Sequence, residues 1–137
     1  MRDGQTLSKR LLQVAVSVGG LVPVGAGLAG ASFGPSLVGG MSTWPISLDS
    51  HFDYLSGLLL GIGICFGSTI KNIEQKRVPF RMLTLIVMVG GLARLNSLIC
   101  DGLPDRAMLF GLAMELIVTP CLAFWQYRVA KTYGITE

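Results

Sequence analysis

The sequence predicts an all-α polytopic membrane protein, a bundle of four transmembrane helices with both termini in the cytoplasm. Three observations lead there: four long apolar runs, Lys and Arg clustered between them, and aromatic residues at their ends. Of the 137 residues, 51% are hydrophobic and only 14% charged, whereas soluble domains carry about a quarter charged residues. The length fits one domain, so a single transmembrane domain over residues 1–137 is expected.

The first run, residues 11–31, is uncharged and exceeds the roughly 20 residues that a helix needs to cross a bilayer. With its flank it predicts a helix over 9–31. The second run, residues 54–70, lies near the lower limit and predicts a helix over about 51–71. The third, residues 80–100, carries Arg94 and Asn96 and predicts 79–101. The fourth, residues 107–127, carries Glu115 and predicts 105–128. A transmembrane β-barrel needs alternating apolar and polar residues, and these runs are continuous. Helices satisfy every backbone group within the segment, which lipid requires. Pro23 and Pro120 are expected to kink the first and fourth helices, freeing upstream carbonyls.

Orientation follows from the basic residues. Arg2, Lys9 and Arg10 precede the first run, Lys71, Lys76, Arg77 and Arg81 fill or border the middle loop, and Arg128 and Lys131 follow the fourth. Residues 32–50 hold no Lys or Arg. The positive-inside rule then puts both termini and the middle loop in the cytoplasm, and an inner (plasma) membrane location is expected. Trp125 and Tyr127 mark the inner boundary, Trp44 and Tyr54 the outer one. Ala29-Gly30-Ala31 imitates a signal-peptide cleavage site, but the run before it exceeds the usual apolar core of about 7–15 residues, so a retained helix is preferred. The net charge of +3 reads as a topology signal. Without aromatic-basic interleaving, no nucleic-acid partner is expected.

Cys65, Cys100 and Cys121 are widely separated and form no C-x-x-C pair. They are expected to be small buried hydrophobes rather than disulfides or metal ligands. No metal and no cofactor is expected. Gly57-x-x-x-Gly61 and Gly63-x-x-x-Gly67 space small residues for close helix approach. Packing inside one bundle is preferred over a homo-oligomer seam through these four glycines.

Arg94 and Glu115 stand out, because an ionised side chain at mid-bilayer costs at least about 2.5–3.5 kcal/mol. Arg94 lies about 10 Å below the end of its helix at Asp101, and Glu115 about 12 Å from the start of its own at Ala107. Across a short hairpin turn these positions face each other at similar depth, and an ion pair is the economical arrangement. Gly111 and Thr119 share the Glu115 face; Gly90, Gly91, Ser97 and Asp101 share that of Arg94. Arg94 alone is long enough to approach the headgroups, whereas Glu115 is not. A structural lock and a functional site stand level as readings of the pair.

A second candidate opens the second helix at residues 48–54, LDSHFDY. Ser50-x-x-Asp53 fits a capping-box spacing, with Asp49 as an alternative cap. Capping leaves unexplained His51, the single histidine, a residue type that changes charge near neutral pH. His51, Asp53 and Tyr54 are the candidates for an external mouth to the Arg94–Glu115 site.

Through residues 47–51 (SLDSH) and 54–57 (YLSG), 90–95 (GGLARL), 114–116 (MEL) and Pro120 to Trp125-Gln126, the chain resembles a bacterial family of four-helix inner-membrane proteins described as a domain of unknown function. It is more loosely similar to the DoxX-like membrane proteins. The resemblance covers nearly the whole chain. It implies the four-helix fold and a shared role for Arg94, Glu115, His51 and Asp53, and it implies no activity. The DoxX likeness suggests a quinone or sulfur-redox partner by analogy of fold.

The leading expectation is a non-catalytic membrane protein that binds an amphipathic ligand or a partner subunit in a polar pocket in its outer half, with the lipid bilayer as its solvent. Arg94, Glu115, His51, Asp53, Tyr54, Asn96 and Asp101 are the candidate residues. One alternative is a proton-coupled transporter using Glu115, since intramembrane carboxylates carry protons. The other is a quinone-binding or redox accessory subunit. Against an autonomous enzyme stands the lack of C-x-x-C, of paired histidines and of a nucleotide motif.

Overall fold

The computed structural model describes residues 2–37 and 43–135, with side chains from Gly4 onward. Val38, near which labelling from outside is expected, lies outside the described residues. Five α-helices follow in order: α1 (Arg2–Phe33), α2 (Ile46–Ile70), α3 (Arg77–Asp101), α4 (Arg106–Ala113) and α5 (Thr119–Thr132). A π-helical turn, Met114–Val118, joins α4 to α5, so the last three pieces form one continuous span. Among the described residues there is no strand.

Four segments are long and apolar enough to cross a membrane. Their apolar residues face outward: Leu21, Val89, Ile99 and Ile117 are all more than 60% exposed. In the most apolar window of the fourth span no residue is buried. Monomeric soluble proteins do not leave such continuous apolar surface in water. The chain is a multi-pass membrane protein, and lipid covers these faces.

The helix ends have local causes. α1 stops where Gly34 takes a left-handed conformation, φ 56°, and Pro35 follows, which cannot continue a helix. α2 begins at Ile46, with the Pro45 carbonyl accepting from the amides of Leu48 and Asp49 at 3.0 and 3.2 Å. That start corrects the capping expectation: Ser50 and Asp53 lie inside α2, past its open amides, and form no capping box. Asp49 instead accepts a hydrogen bond from Trp44 Nε1 at 2.9 Å. α3 carries Pro79 in its first turn, where a missing N–H costs nothing. Asp105 caps α4 by accepting from the Met108 amide at 3.0 Å. α5 closes with Gly134 at φ 74° and two bonds, Ile135 N–H to Ala130 and Gly134 N–H to Lys131, a Schellman motif.

The chain forms two compact units. In residues 17–68, the second half of α1 runs antiparallel to α2 along small residues. A Cβ on Gly27 would stand 2.6 Å from the Leu60 amide nitrogen and 2.7 Å from the Ser56 carbonyl, and one on Gly63 would stand 3.0 Å from the Val24 nitrogen. Gly57, Gly61 and Gly67 have open space beside them. Only Gly63 of the four therefore serves packing within this unit, and the glycines of α1 supply the rest.

The other unit comprises residues 1–16 and 69–137. Its buried centre is Leu12, Val16, Ile73, Phe80, Val129 and Ala130. Polar groups fasten the turn between α2 and α3, where Asn72 is left-handed at φ 58°. Gln126, 1% exposed, donates to the Ile73 carbonyl at 2.8 Å, and Gln13 donates to that of Ile70 at 2.7 Å. Lys9 pairs with the buried Glu74 at 2.9 Å. Buried carbonyls need such partners, since each left unpaired costs as much as a lost hydrogen bond. The three cysteines are free and exposed, which corrects the expectation of burial: in a chain whose helices turn apolar faces outward, a small apolar side chain does not need the interior.

Candidate functional site

The fourth span departs from α-helical geometry where its one acid sits. Pro120 lacks the N–H that would bond the Leu116 carbonyl, and its ring would collide with that carbonyl in a regular helix. The chain widens instead: the Thr119 amide reaches back five residues to the Met114 carbonyl. Thr119 Oγ1 donates to the same carbonyl at 2.8 Å. Glu115 is the second residue of this π turn. The expected disturbance at Pro120 thus takes the form of a π turn, a feature that recurs at functional sites.

α3 supplies the partner. A Cβ on Gly91 would stand 2.8 Å from Leu116 Cδ2 and 2.9 Å from Glu115 Cβ, so glycine there lets the π turn press onto α3. One turn further along, Arg94 Nη2 donates to Glu115 Oε1 at 3.2 Å. Arg94 Nε stands 3.2 Å from Glu115 Oε2, an electrostatic contact without hydrogen-bond alignment, since that buried oxygen accepts no hydrogen bond. The guanidinium therefore meets the carboxylate along one edge. Its other edge has a softer neighbour: Nη1 donates to the thioether of Met108 at 2.8 Å. Gly111 lies beside this edge, a Cβ there being 3.5 Å from Nη1. The Arg94 side chain is 34% exposed and that of Glu115 18%.

The other candidates are placed as follows. Asp101 accepts from Ser97 Oγ at 2.9 Å near the end of α3, and Asn96 is exposed, with Cys100 Sγ 4.0 Å from its Oδ1. His51, Asp53 and Tyr54 are exposed on the first turns of α2 and belong to residues 17–68, whereas Arg94 and Glu115 belong to the other unit. Among the described residues no group of three or more His, Cys, Asp or Glu is placed to hold a metal ion. Met108 is the contributor that sequence reading missed. A methionine in an apolar run gives no signal, and only its place three residues into α4, level with Arg94 across the hairpin, marks it out.

What this arrangement offers chemically is a guanidinium set among apolar helices, neutralised on one side and facing a weak acceptor on the other. A family model described as Domain of unknown function (DUF4345) matches residues 11–126. No curated protein and no solved structure matches the chain.

Proposed function

The chain belongs to the DUF4345 family, and we propose that it works as a membrane-embedded binding protein for a neutral amphiphile, in the inner membrane with its termini cytoplasmic. The observation that carries this reading is the Nη1 edge of Arg94, which among the described residues has only the Met108 sulfur as acceptor. A thioether is a weak acceptor, and methionine repacks readily. An oxygen brought by a ligand would displace it at a gain. Glu115 already balances the charge of Arg94, so a second anion would compete with it. A head bearing a hydroxyl, ester or amide oxygen fits the neutral site better, its tail lying along the exposed apolar helix faces. The role is one of binding, with the bilayer as the source of the ligand.

Native mass spectrometry of protein released from lipid nanodiscs tests this. The wild-type chain should retain a neutral lipid or lipid-like molecule, and Arg94→Gln should lose it while remaining folded. Equal retention by both, or none by the wild type, contradicts the reading.

A further inference from the structure

A crevice of about 350 Å³ lies between the start of α1 and the end of α5, lined by Gly4, Gln5, Ser8, Trp125, Arg128 and Tyr133, among others. It lies further along the fourth span than Glu115, at the end where α1 begins and α5 finishes. We infer that this crevice is a headgroup site for an anionic glycerophospholipid.

The described residues of its lining are rich in donors. Trp125 Nε1 donates to Ser8 Oγ at 3.1 Å, which leaves the Ser8 hydroxyl its own proton to give. Arg128 contributes a guanidinium, positioned over the Phe124 ring at 5.9 Å, and Gln5 an amide. Among the described residues that line it, none is Asp or Glu. Lys9 stands over the Tyr133 ring at 5.6 Å, with its charge balanced by Glu74 at 2.9 Å, so Arg128 is the cation that the crevice itself offers. Most of the acceptors that a helix end normally exposes are occupied here. The carbonyls of Arg128, Val129, Ala130 and Lys131 all receive bonds, from Thr132 Oγ1 or from the amides of residues 133–135. A cavity with a cation, several neutral donors and few free acceptors selects a phosphodiester oxygen. Its depth selects the source of that phosphate: Trp and Tyr line it at the end of the spans, the level at which membrane proteins meet headgroups, and basic pockets between helices at this level take acidic lipids.

The test uses the full chain in nanodiscs of phosphatidylcholine with a minor share of phosphatidylglycerol, followed by detergent release and quantification of retained lipid. Phosphatidylglycerol should be enriched over phosphatidylcholine. Arg128→Gln should reduce that enrichment about fivefold, the worth of one basic residue at a membrane surface. Lys131→Gln, which removes the same charge from the same turn but outside the lining, should leave it. Gly4→Leu, placed in open space, should fill the crevice and abolish enrichment without loss of thermal stability. Equal losses for Arg128→Gln and Lys131→Gln would mean diffuse surface charge and overturn the inference. So would displacement of the lipid by inorganic phosphate, which would mark a free-anion site, or enrichment surviving Gly4→Leu.

Discussion

Arg94 and Glu115 illustrate how few atoms decide the character of a membrane helix pair. Either ion alone would stand in hydrocarbon at a cost of about 2.5–3.5 kcal/mol; together they share two contacts at 3.2 Å. Removing one partner strands the other, and removing both does not. Arg94→Ala and Glu115→Ala should therefore each lower unfolding stability in detergent by up to about 3 kcal/mol. The double variant should cost less than their sum by about 1 kcal/mol or more. Strict additivity in this cycle would show that the two side chains are not coupled. The pair was legible in the sequence because charge in an apolar run is rare and the hairpin fixes which residues face each other. The role of Met108 was not, since its meaning depends on which edge of the guanidinium Glu115 leaves open. Nor were Gln13 and Gln126 as fasteners of the turn at residues 70–76. Their task is set by two carbonyls that only the folded turn exposes.

At the scale of the element, glycines that look alike in sequence differ in what they touch. Gly90 and Gly91 are neighbours on α3, yet only Gly91 meets the π turn. Gly91→Val should push Leu116 and Glu115 away and cost about 1–3 kcal/mol, the range for overpacking. Gly90→Val, in open space, should be tolerated, and thermal unfolding of the two side by side reads the difference. Equal effects would mean that α3 and the π turn do not pack as described. The four helical spans were readable from apolar runs alone, because bilayer thickness imposes their length. Their ends were less so. α2 starts five residues before the predicted boundary because Pro45, not Ser50, supplies the first accepting carbonyl. Pro120 announced a disturbance, but its resolution as a π turn depends on Thr119 reaching Met114 with both its amide and its hydroxyl.

For the whole molecule, the basic clusters predict an orientation that labelling can test. An impermeant thiol reagent applied to intact cells should reach a cysteine at Asp105 and not one at Gln75, each in a chain freed of its three native cysteines. The reverse pattern would invert the topology. The central claim concerns what the Arg94 site holds, and changing its charge tests it most directly. Glu115→Gln keeps the size and the accepting oxygen of the side chain but removes the neutralising charge. Wild-type and Glu115→Gln chains would be loaded in nanodiscs with equal amounts of a monoacylglycerol and the fatty acid of the same chain length. Retained amphiphile would then be counted by native mass spectrometry against thermal stability. The wild type should hold the neutral monoacylglycerol. The variant, with an uncompensated Arg94, should stay folded and shift toward the fatty acid. An unchanged ratio of the two amphiphiles together with lowered stability would show the pair to be a structural lock, and the binding account would fail.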